Sequence, residues 1–323
     1  MTTFRTNRRH AIQFASTAAM VAWLRSPLNA LADDGDNGDS PTSDESDVGK
    51  PLDSGPLPYL DRIGLQLYTL RNQMADDPTK TLQAVADAGY AQVELMSINN
   101  DSVGLAAIAR DKGLKVHSAF MDFNAITDPK RDGVTSVEAT LELAERIGLR
   151  HVVFGYIGRK QRDTADKCKA IADRANVAAE ATRAAGMRMC YHNHAFEFAK
   201  FKGSSRTAFD IFIERFDPRT LEFELDVFWA KIGGRDPIEM MRRLAGRISQ
   251  VHLKDLKDGV PTLNDESKVP KDAFQELGDG IIDMPEVMRV AHQIGVDQCH
   301  VEQDQSPSPL DSIRQSAEFL RLS

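Results

Sequence analysis

Four polar residues stand together where a short apolar stretch of the sequence ends. The segment CYHNHAFEF, residues 190–198, contains His192, Asn193, His194 and Glu197. Burying such groups costs free energy unless each finds a partner. Histidine and carboxylate side chains serve in proteins as metal ligands, general acids and general bases. This segment therefore predicts a functional site, and other parts of the chain must supply its remaining groups.

Other short apolar segments end in similar polar residues. In LEFELDVFW, Leu221, Phe223 and Leu225 alternate with Glu224 and Asp226. Because successive side chains of a strand point to opposite faces, the apolar set suits packing under helices and the acidic set faces the other way. The same alternation predicts one inward-facing polar residue on each of seven strands: Gln66, Glu94, His117, His192, Asp226, His252 and Glu302.

Two histidines and two carboxylates of this set form a candidate metal site. We nominate the residues from strands five to eight, a donor set suited to Mn²⁺, Co²⁺, Zn²⁺ or Mg²⁺: His192, Asp226, His252 and Glu302. His194 has the same parity as His192 and is the alternative ligand. A metal ion there would act as a Lewis acid on a sugar carbonyl, so that a nearby carboxylate can remove the adjacent proton. The alternative is that each residue is a buried polar group satisfied by its neighbours.

The elements that must position these residues alternate regularly between short strands and longer helices. Eight segments have strand character: 63–68, 91–96, 114–120, 151–156, 187–192, 221–226, 248–255 and 298–304. Segments such as SVEATLELAERIG between them carry apolar residues at helical spacing and close on a glycine. This pattern predicts an α/β fold, a (β/α)8 TIM barrel, whose active site lies at the carboxyl ends of the strands. A doubly wound open sheet is the alternative, disfavoured because no glycine-rich phosphate loop follows the first strand.

Two further residues near the strand ends have a functional and a structural interpretation. Lys254 could polarise a substrate carbonyl or bind a phosphate, but it could equally pair with a neighbouring carboxylate. Trp229 could form an apolar wall against a sugar ring, and core packing is the equal alternative.

Several motifs together resemble the sugar phosphate isomerase/epimerase group, the xylose isomerase-like TIM barrels. They occur in order over about residues 60–321: IGLQLYTLR, YAQVELM, YHNHAFEF, LDVFWA, VHLKD, LGDGIID and VEQDQ. The resemblance implies a divalent metal bound by strands five to eight and proton transfer next to a sugar carbonyl. Asp226, His252 and Glu302 match the ligand positions of the family.

Strand five departs from the family pattern. Ketose epimerases of the group carry a glutamate, one of their two proton-transfer carboxylates, where this chain has His192. Glu302 is then the best single base, with His192 as ligand or general acid and Glu197 or Glu94 as possible partners. Asn193, His194 and Glu197 would orient the ligand or touch substrate hydroxyl groups.

These considerations favour a metal-dependent enzyme that isomerises or epimerises a sugar or sugar-like polyol. The first alternative is a lyase or hydratase that acts on a keto-sugar or 3-keto-glycoside, in which loss of the same proton leads to β-elimination. The second is a non-catalytic sugar-binding barrel, which would need no proton-transfer residue.

The N-terminal residues predict export. Residues 1–32 have a twin-arginine pair, Arg8 and Arg9, a short apolar stretch and an A-x-A ending, which together are typical of a signal peptide for the twin-arginine export machinery. The stretch is too short and too polar for a stable membrane span. Residues 33–58 are acidic and rich in Gly, Ser and Pro, typical of a disordered linker, and residues 59–323 form the barrel domain. We expect a periplasmic protein, and free sugars or glycosides rather than phosphorylated ones as substrates.

Charge and cysteine content exclude other classes of protein. Residues 59–323 carry 35 basic and 40 acidic side chains, so no basic surface for nucleic acid is expected. The three cysteines have no CxxC spacing, which favours buried thiols over a disulfide framework.

Overall fold

The computed structural model describes residues 56–323. Within this range lie ten strands: β1 (Gly64–Gln66), β2 (Gln92–Leu95), β3 (Lys115–Phe120), β4 (His151–Phe154), β5 (Arg188–His192), β6 (Leu221–Asp226), β7 (Ile248–Leu253), β8 (Asp255–Leu256), β9 (Phe274–Gln275) and β10 (Gln298–Val301). The predicted signal peptide and most of the predicted linker lie outside the described residues. Leu57 is already buried in the core, so the packed domain includes the last residues assigned to the linker.

Eight of these strands form a closed parallel barrel, which confirms the predicted TIM barrel. Their order around the barrel is β1-β2-β3-β4-β5-β6-β7-β10, and β10 pairs with β1 to close it. The remaining two strands, β8 and β9, form a short antiparallel pair, and β8 begins two residues after the end of β7. No open sheet edge remains in the barrel, which excludes the doubly wound alternative.

Eleven α-helices lie in the described range: α1 (Arg71–Asp76), α2 (Pro78–Asp87), α3 (Asn100–Asp111), α4 (Asn124–Thr127), α5 (Val137–Ile147), α6 (Ala165–Ala184), α7 (Ala208–Arg215), α8 (Val227–Ile232), α9 (Pro237–Arg243), α10 (Met284–Gln293) and α11 (Pro309–Leu322). Helix α5 shows why they begin and end where they do. The Ser136 hydroxyl accepts a hydrogen bond from the Ala139 N–H, and Gly148 closes the helix with φ 78°. No helix within residues 56–323 is long and apolar enough to cross a bilayer.

Side-chain alternation on the strands follows the prediction in β6. Leu221, Phe223 and Leu225 are fully buried in the hydrophobic core, whereas Glu224 and Asp226 meet histidines from the neighbouring strands. The three cysteines are free and buried, as expected.

The alternation fails in β3 because the strand contains a bulge. Val93 of β2 pairs with Val116, but the next residue of β2, Glu94, pairs with Ser118. The extra residue is His117, and one extra residue turns all later side chains to the opposite face. Ser118 therefore points into the barrel, and the predicted inward position of His117 is wrong.

Candidate active site

The four nominated metal ligands meet at the carboxyl ends of their strands. His192 and Asp226 are the last residues of β5 and β6, His252 is next to last in β7, and Glu302 directly follows β10. Asp226 is in register with His252, which is in register with His300 of β10. Asp226 Oδ2 lies 3.9 Å from both His192 Nε2 and His252 Nδ1, and His252 Nδ1 lies 2.9 Å from Glu302 Oε2. We call these four side chains the floor cluster.

The floor cluster fits a divalent metal ion. Donor atoms of His192, Asp226 and His252 all lie within 4.8 Å of one another. Asp226 is buried, and no residue of the described range donates a hydrogen bond of good geometry to its Oδ2. Two imidazoles beside two carboxylates are a donor set that suits Zn²⁺, Mn²⁺ or Co²⁺. His194 is not part of this group, so the geometry favours His192 over His194 as ligand.

Two further carboxylates lie one layer deeper in the barrel. Glu224 Oε2 is 3.1 Å from His192 Nδ1, and Glu94 Oε2 is 2.7 Å from His252 Nε2. Burial raises the pKa of Glu224 well above its usual range, and the neighbouring Glu94 raises it further. Burial also disfavours charge on His252, but the two carboxylates outweigh it and hold the pKa of His252 well above its usual range.

Lys254 is bound by carboxylates, as its structural interpretation predicted. Its Nζ lies 3.0 Å from Asp226 Oδ2, 2.7 Å from Glu302 Oε2 and 2.7 Å from Asp304 Oδ1. Burial alone would raise the pKa of Glu302, but the adjacent ammonium and His252 lower it to about 2, so Glu302 is ionised at neutral pH. Lys254 also borders the cavity above the floor cluster, where it can reach a bound molecule.

A cavity of about 510 Å³ opens above the floor cluster. Six predicted site residues line it: Gln66, His192, His194, Trp229, Lys254 and Glu302. Aromatic rings form much of the remaining wall, namely Tyr68, Phe120, Tyr156 and Phe274. Trp229 is only 4% exposed, and its ring centroid lies 5.8 Å from that of Phe274. Because it also lines the cavity, Trp229 belongs both to the core and to the cavity wall. A polar floor under aromatic walls suits a compact polar ring with apolar C–H faces.

One side of the cavity is covered by residues 264–271, which we call the roof segment. Glu266, Ser267, Val269 and Lys271 of this segment line the cavity. The segment is fixed to the loop after β4, because Arg162 Nη2 donates to Glu266 at 3.0 Å and Tyr156 Oη donates to it at 3.1 Å. These contacts hold the roof segment, which connects β8 to β9, over the cavity.

Glu94 and Glu197 do not reach the cavity, although both were predicted to touch substrate or assist the base. Glu94 is fully buried beneath His252 and accepts hydrogen bonds from Gln66 and Ser118. Glu197 is also fully buried; it accepts from Tyr191 Oη at 2.5 Å and from the His194 N–H at 2.9 Å. Burial raises the pKa of Glu197 to about 8. Glu197 thus holds the backbone at His194 in place without lining the cavity.

Asn193 and His117 also lie away from the cavity. Asn193 is buried and its side-chain oxygen accepts the Asp226 N–H at 3.0 Å, so it joins the ends of β5 and β6. His117 lines a separate surface depression with Arg110 and Lys115, because the bulge in β3 turns it outward. Burial and the neighbouring cations lower the pKa of His117 to about 4. Asn193 thus meets only the backbone of Asp226, and neither residue hydrogen-bonds to a side chain of the floor cluster.

The LGDGIID motif forms a turn around Asp255, the last residue of VHLKD. The carboxylate of Asp255 accepts the backbone N–H groups of Gly278, Gly280 and Ile282 at 3.0 to 3.2 Å. A Cβ atom on Gly280 would lie 2.2 Å from Asp255 Oδ1, so this close approach requires glycine. The motif holds the chain next to Lys254 in place.

The sequence alone left several participants unassigned. Glu224 has the same inward parity as Asp226, and this signal was available in the sequence. Asp304 likewise shares the inward parity of Glu302 in the predicted strand 298–304, whereas the roof residue Glu266 has no comparable signal because its position depends on a loop. Gln250 links the deeper layer, since its amide donates to Ser118 and to Glu224 at 2.9 Å each.

Comparisons with known proteins agree with this architecture. The inosose dehydratase of Geobacillus kaustophilus is 25% identical over 227 residues, which cover 63% of this chain and 72% of that protein. A sugar phosphate isomerase/epimerase from Parabacteroides distasonis has a similar structure, with a TM-score of 0.66 and 23% identity over 81% of this chain and 94% of its own. The 3-keto-D-glucoside 4-epimerase of E. coli aligns with a TM-score of 0.59 at 14% identity, over 81% of this chain and 99% of its own. At these identities the two solved structures share the fold.

The model of the xylose isomerase-like TIM barrel family matches residues 82–322, which is more than half of the chain. This match confirms the resemblance that the ordered motifs indicated. The chain belongs to the xylose isomerase-like TIM barrel family.

Proposed function

We propose that this chain is a divalent-metal-dependent enzyme that removes a proton next to the carbonyl group of a sugar or sugar-like ketone. The observation that carries the proposal is the floor cluster, in which Asp226 Oδ2 lies 3.9 Å from a nitrogen of each of two imidazoles at the bottom of a 510 Å³ cavity. His192, Asp226, His252 and Glu302 would hold the ion. When bound, the ion would supply Lewis-acid polarisation of the carbonyl group. Glu302, which is ionised, would accept the proton.

After this step, two outcomes are possible, and the arrangement of residues favours elimination. An epimerase returns a proton to the opposite face of the same carbon and needs an acid there. The β5 side of the floor offers His192, whose pKa is held well below its usual range, chiefly by burial. The groups able to exchange protons, Glu302, Lys254 and Asp304, lie together on the β7 and β10 side.

A lyase or dehydratase can use such a one-sided arrangement. Glu302 takes the proton from the α-carbon, the bond from the β-carbon to its oxygen breaks, and the hydrogen-bonded pair of Lys254 and Asp304 protonates the departing oxygen. The product is an α,β-unsaturated ketone. Isomerisation or epimerisation is the second candidate, which the names of the solved relatives support.

The lining of the cavity supports an uncharged substrate, such as a keto-sugar or a 3-keto-glycoside. Among the described residues that line it, Glu266, Glu302 and Asp304 are acidic and only Lys254 and Lys271 are basic. Lys254 already has three carboxylate partners. A phosphate group would therefore meet little uncompensated positive charge.

The test is proton exchange in D₂O with the metal-loaded protein. Keto-sugars and keto-glycosides are incubated with the wild-type chain and with Glu302→Gln, and NMR follows both deuterium at the α-carbon and new vinylic signals. An unsaturated ketone formed by the wild type and not by the variant supports the lyase. Deuterium without elimination supports the isomerase or epimerase. Sugar binding without proton exchange would contradict the proposed enzymatic function and support the non-catalytic sugar-binding barrel.

We further propose that the protein is exported by the twin-arginine route to the periplasm. The support is the Arg8–Arg9 pair before a short apolar stretch and an A-x-A ending. This route carries folded proteins, so a metal ion could be loaded before export. Changing both arginines to lysine should keep the protein in the cytoplasmic fraction, and unchanged fractionation would contradict the proposal.

A further inference from the structure

The two histidines of the floor cluster direct different ring nitrogens toward the Asp226 carboxylate. For His192 the nearer atom is Nε2, at 3.9 Å, and for His252 it is Nδ1, at the same distance. We infer that Glu224 is a positioning residue that fixes these opposite orientations from the layer below. The inference rests on the proposed metal site.

The contacts of His192 define the first orientation. Its Nδ1 lies 3.1 Å from Glu224 Oε2, and both side chains are buried. A metal-ligating histidine binds through one ring nitrogen while a hydrogen-bonding partner holds the other nitrogen and so fixes the orientation of the ring. Glu224 therefore engages Nδ1 and leaves Nε2 as the nitrogen on the side of Asp226.

The contacts of His252 define the reverse orientation. Its Nε2 lies 2.7 Å from Glu94 Oε2 and 3.3 Å from Glu224 Oε1. Its Nδ1 faces Glu302 and Asp226 instead. With Nε2 held by Glu94 and Glu224, Nδ1 is the nitrogen on the side where the metal ion would bind.

Glu224 can act on both rings because its own position is fixed. It is fully buried, and the Gln250 amide donates to its Oε1 at 2.9 Å. Gln250 is bound in turn to Ser118, which donates to Glu94 at 2.5 Å. Glu224 also precedes Asp226 by two residues on β6. This strand therefore supplies one proposed ligand, Asp226, and the residue that positions two others, His192 and His252.

The experiment compares Glu224→Gln with Glu222→Gln in the full chain. Glu222 has the same parity on the same strand but lies near its amino end, where it pairs with Arg188 at a half-exposed surface, so it is a matched control. Calorimetric titration with Mn²⁺ should show affinity weaker by about 10- to 100-fold in Glu224→Gln and unchanged in Glu222→Gln. Circular dichroism of the metal-free variants should show that both fold.

Nitrogen NMR of the Zn²⁺-loaded wild type gives a second readout that does not depend on any variant. We expect His192 to be bound through Nε2 and His252 through Nδ1. Coordination of both rings through the same type of nitrogen, or wild-type affinity in Glu224→Gln, would overturn the inference and leave the proposed function standing. A wild-type chain that binds no divalent ion would overturn both.

Discussion

Lys254 offers a direct test of the charge balance in the floor cluster, through the change Lys254→Met. Its ammonium lies within 3.0 Å of carboxylate oxygens of Asp226, Glu302 and Asp304. Methionine keeps most of the volume and removes the charge. Removing one partner of a buried ion pair costs about 3–5 kcal/mol, because the other charge is left buried without compensation. We expect a loss of this size in the free energy of unfolding of the metal-free protein.

Divalent metal should restore part of this loss. A ligand that binds only the folded state at 100 times its Kd adds about 2.7 kcal/mol to the free energy of unfolding. In Lys254→Met the ion no longer competes with an ammonium for Asp226 and Glu302, so its affinity should rise. Urea unfolding with and without Mn²⁺ measures both effects.

The control for this experiment is Lys257→Met, three residues further along the chain. Lys257 pairs with Asp272, but both side chains are largely exposed, so the change should alter the free energy of unfolding by less than about 1 kcal/mol. A Lys254→Met protein with the same urea midpoint as the wild type in the absence of metal would refute the reasoning, because the ammonium would then not balance the buried carboxylates.

Three further changes test other parts of the site. Burial raises the pKa of Glu197 from 4.5 to about 8, so the folded wild type binds this proton more tightly than the unfolded chain does. The stability of the wild type should therefore fall as the pH rises from 4.5 to about 8. In Glu197→Gln, the urea midpoint should fall less over this pH range than it does in the wild type. Glu266→Gln removes the ion pair of the roof segment with Arg162 and should raise KM several-fold with little change in kcat, measured by steady-state kinetics. A Cβ at position 155 would lie 2.8 Å from His192 Cβ, which is too close. Gly155→Ala should therefore lower the free energy of unfolding by about 1–3 kcal/mol, measured by urea unfolding, and weaken Mn²⁺ binding, measured by calorimetry.

Much of the barrel could be predicted from the sequence because its signals are local and periodic. Each barrel strand falls within a predicted segment, and the inward parity of Asp226 and His252 holds in the structure. Such parity depends only on the strand geometry of a few neighbouring residues. The floor cluster could therefore be assembled before its geometry was known.

The remaining features depend on interactions that local patterns do not record. The bulge in β3, which turns Ser118 rather than His117 into the barrel, depends on how β3 pairs with β2. The sequence of β3 by itself shows regular alternation. Glu197 follows the site motif directly, yet its side chain turns to Tyr191 behind the strand. The roof segment reaches the cavity through contacts between residues more than 100 positions apart.

The two ion pairs of the roof segment differ in how they respond to ionic strength. The outer pair, Arg159 with Asp265, has an arginine side chain that is 68% exposed, whereas the inner pair, Arg162 with Glu266, is 9% and 21% exposed. Dissolved salt screens exposed charges over about 8 Å at physiological concentration and screens buried pairs much less. Added salt therefore loosens the outer attachment first while the inner one holds. The roof segment would then stay attached over the cavity through Glu266 while its Asp265 end gains freedom to move.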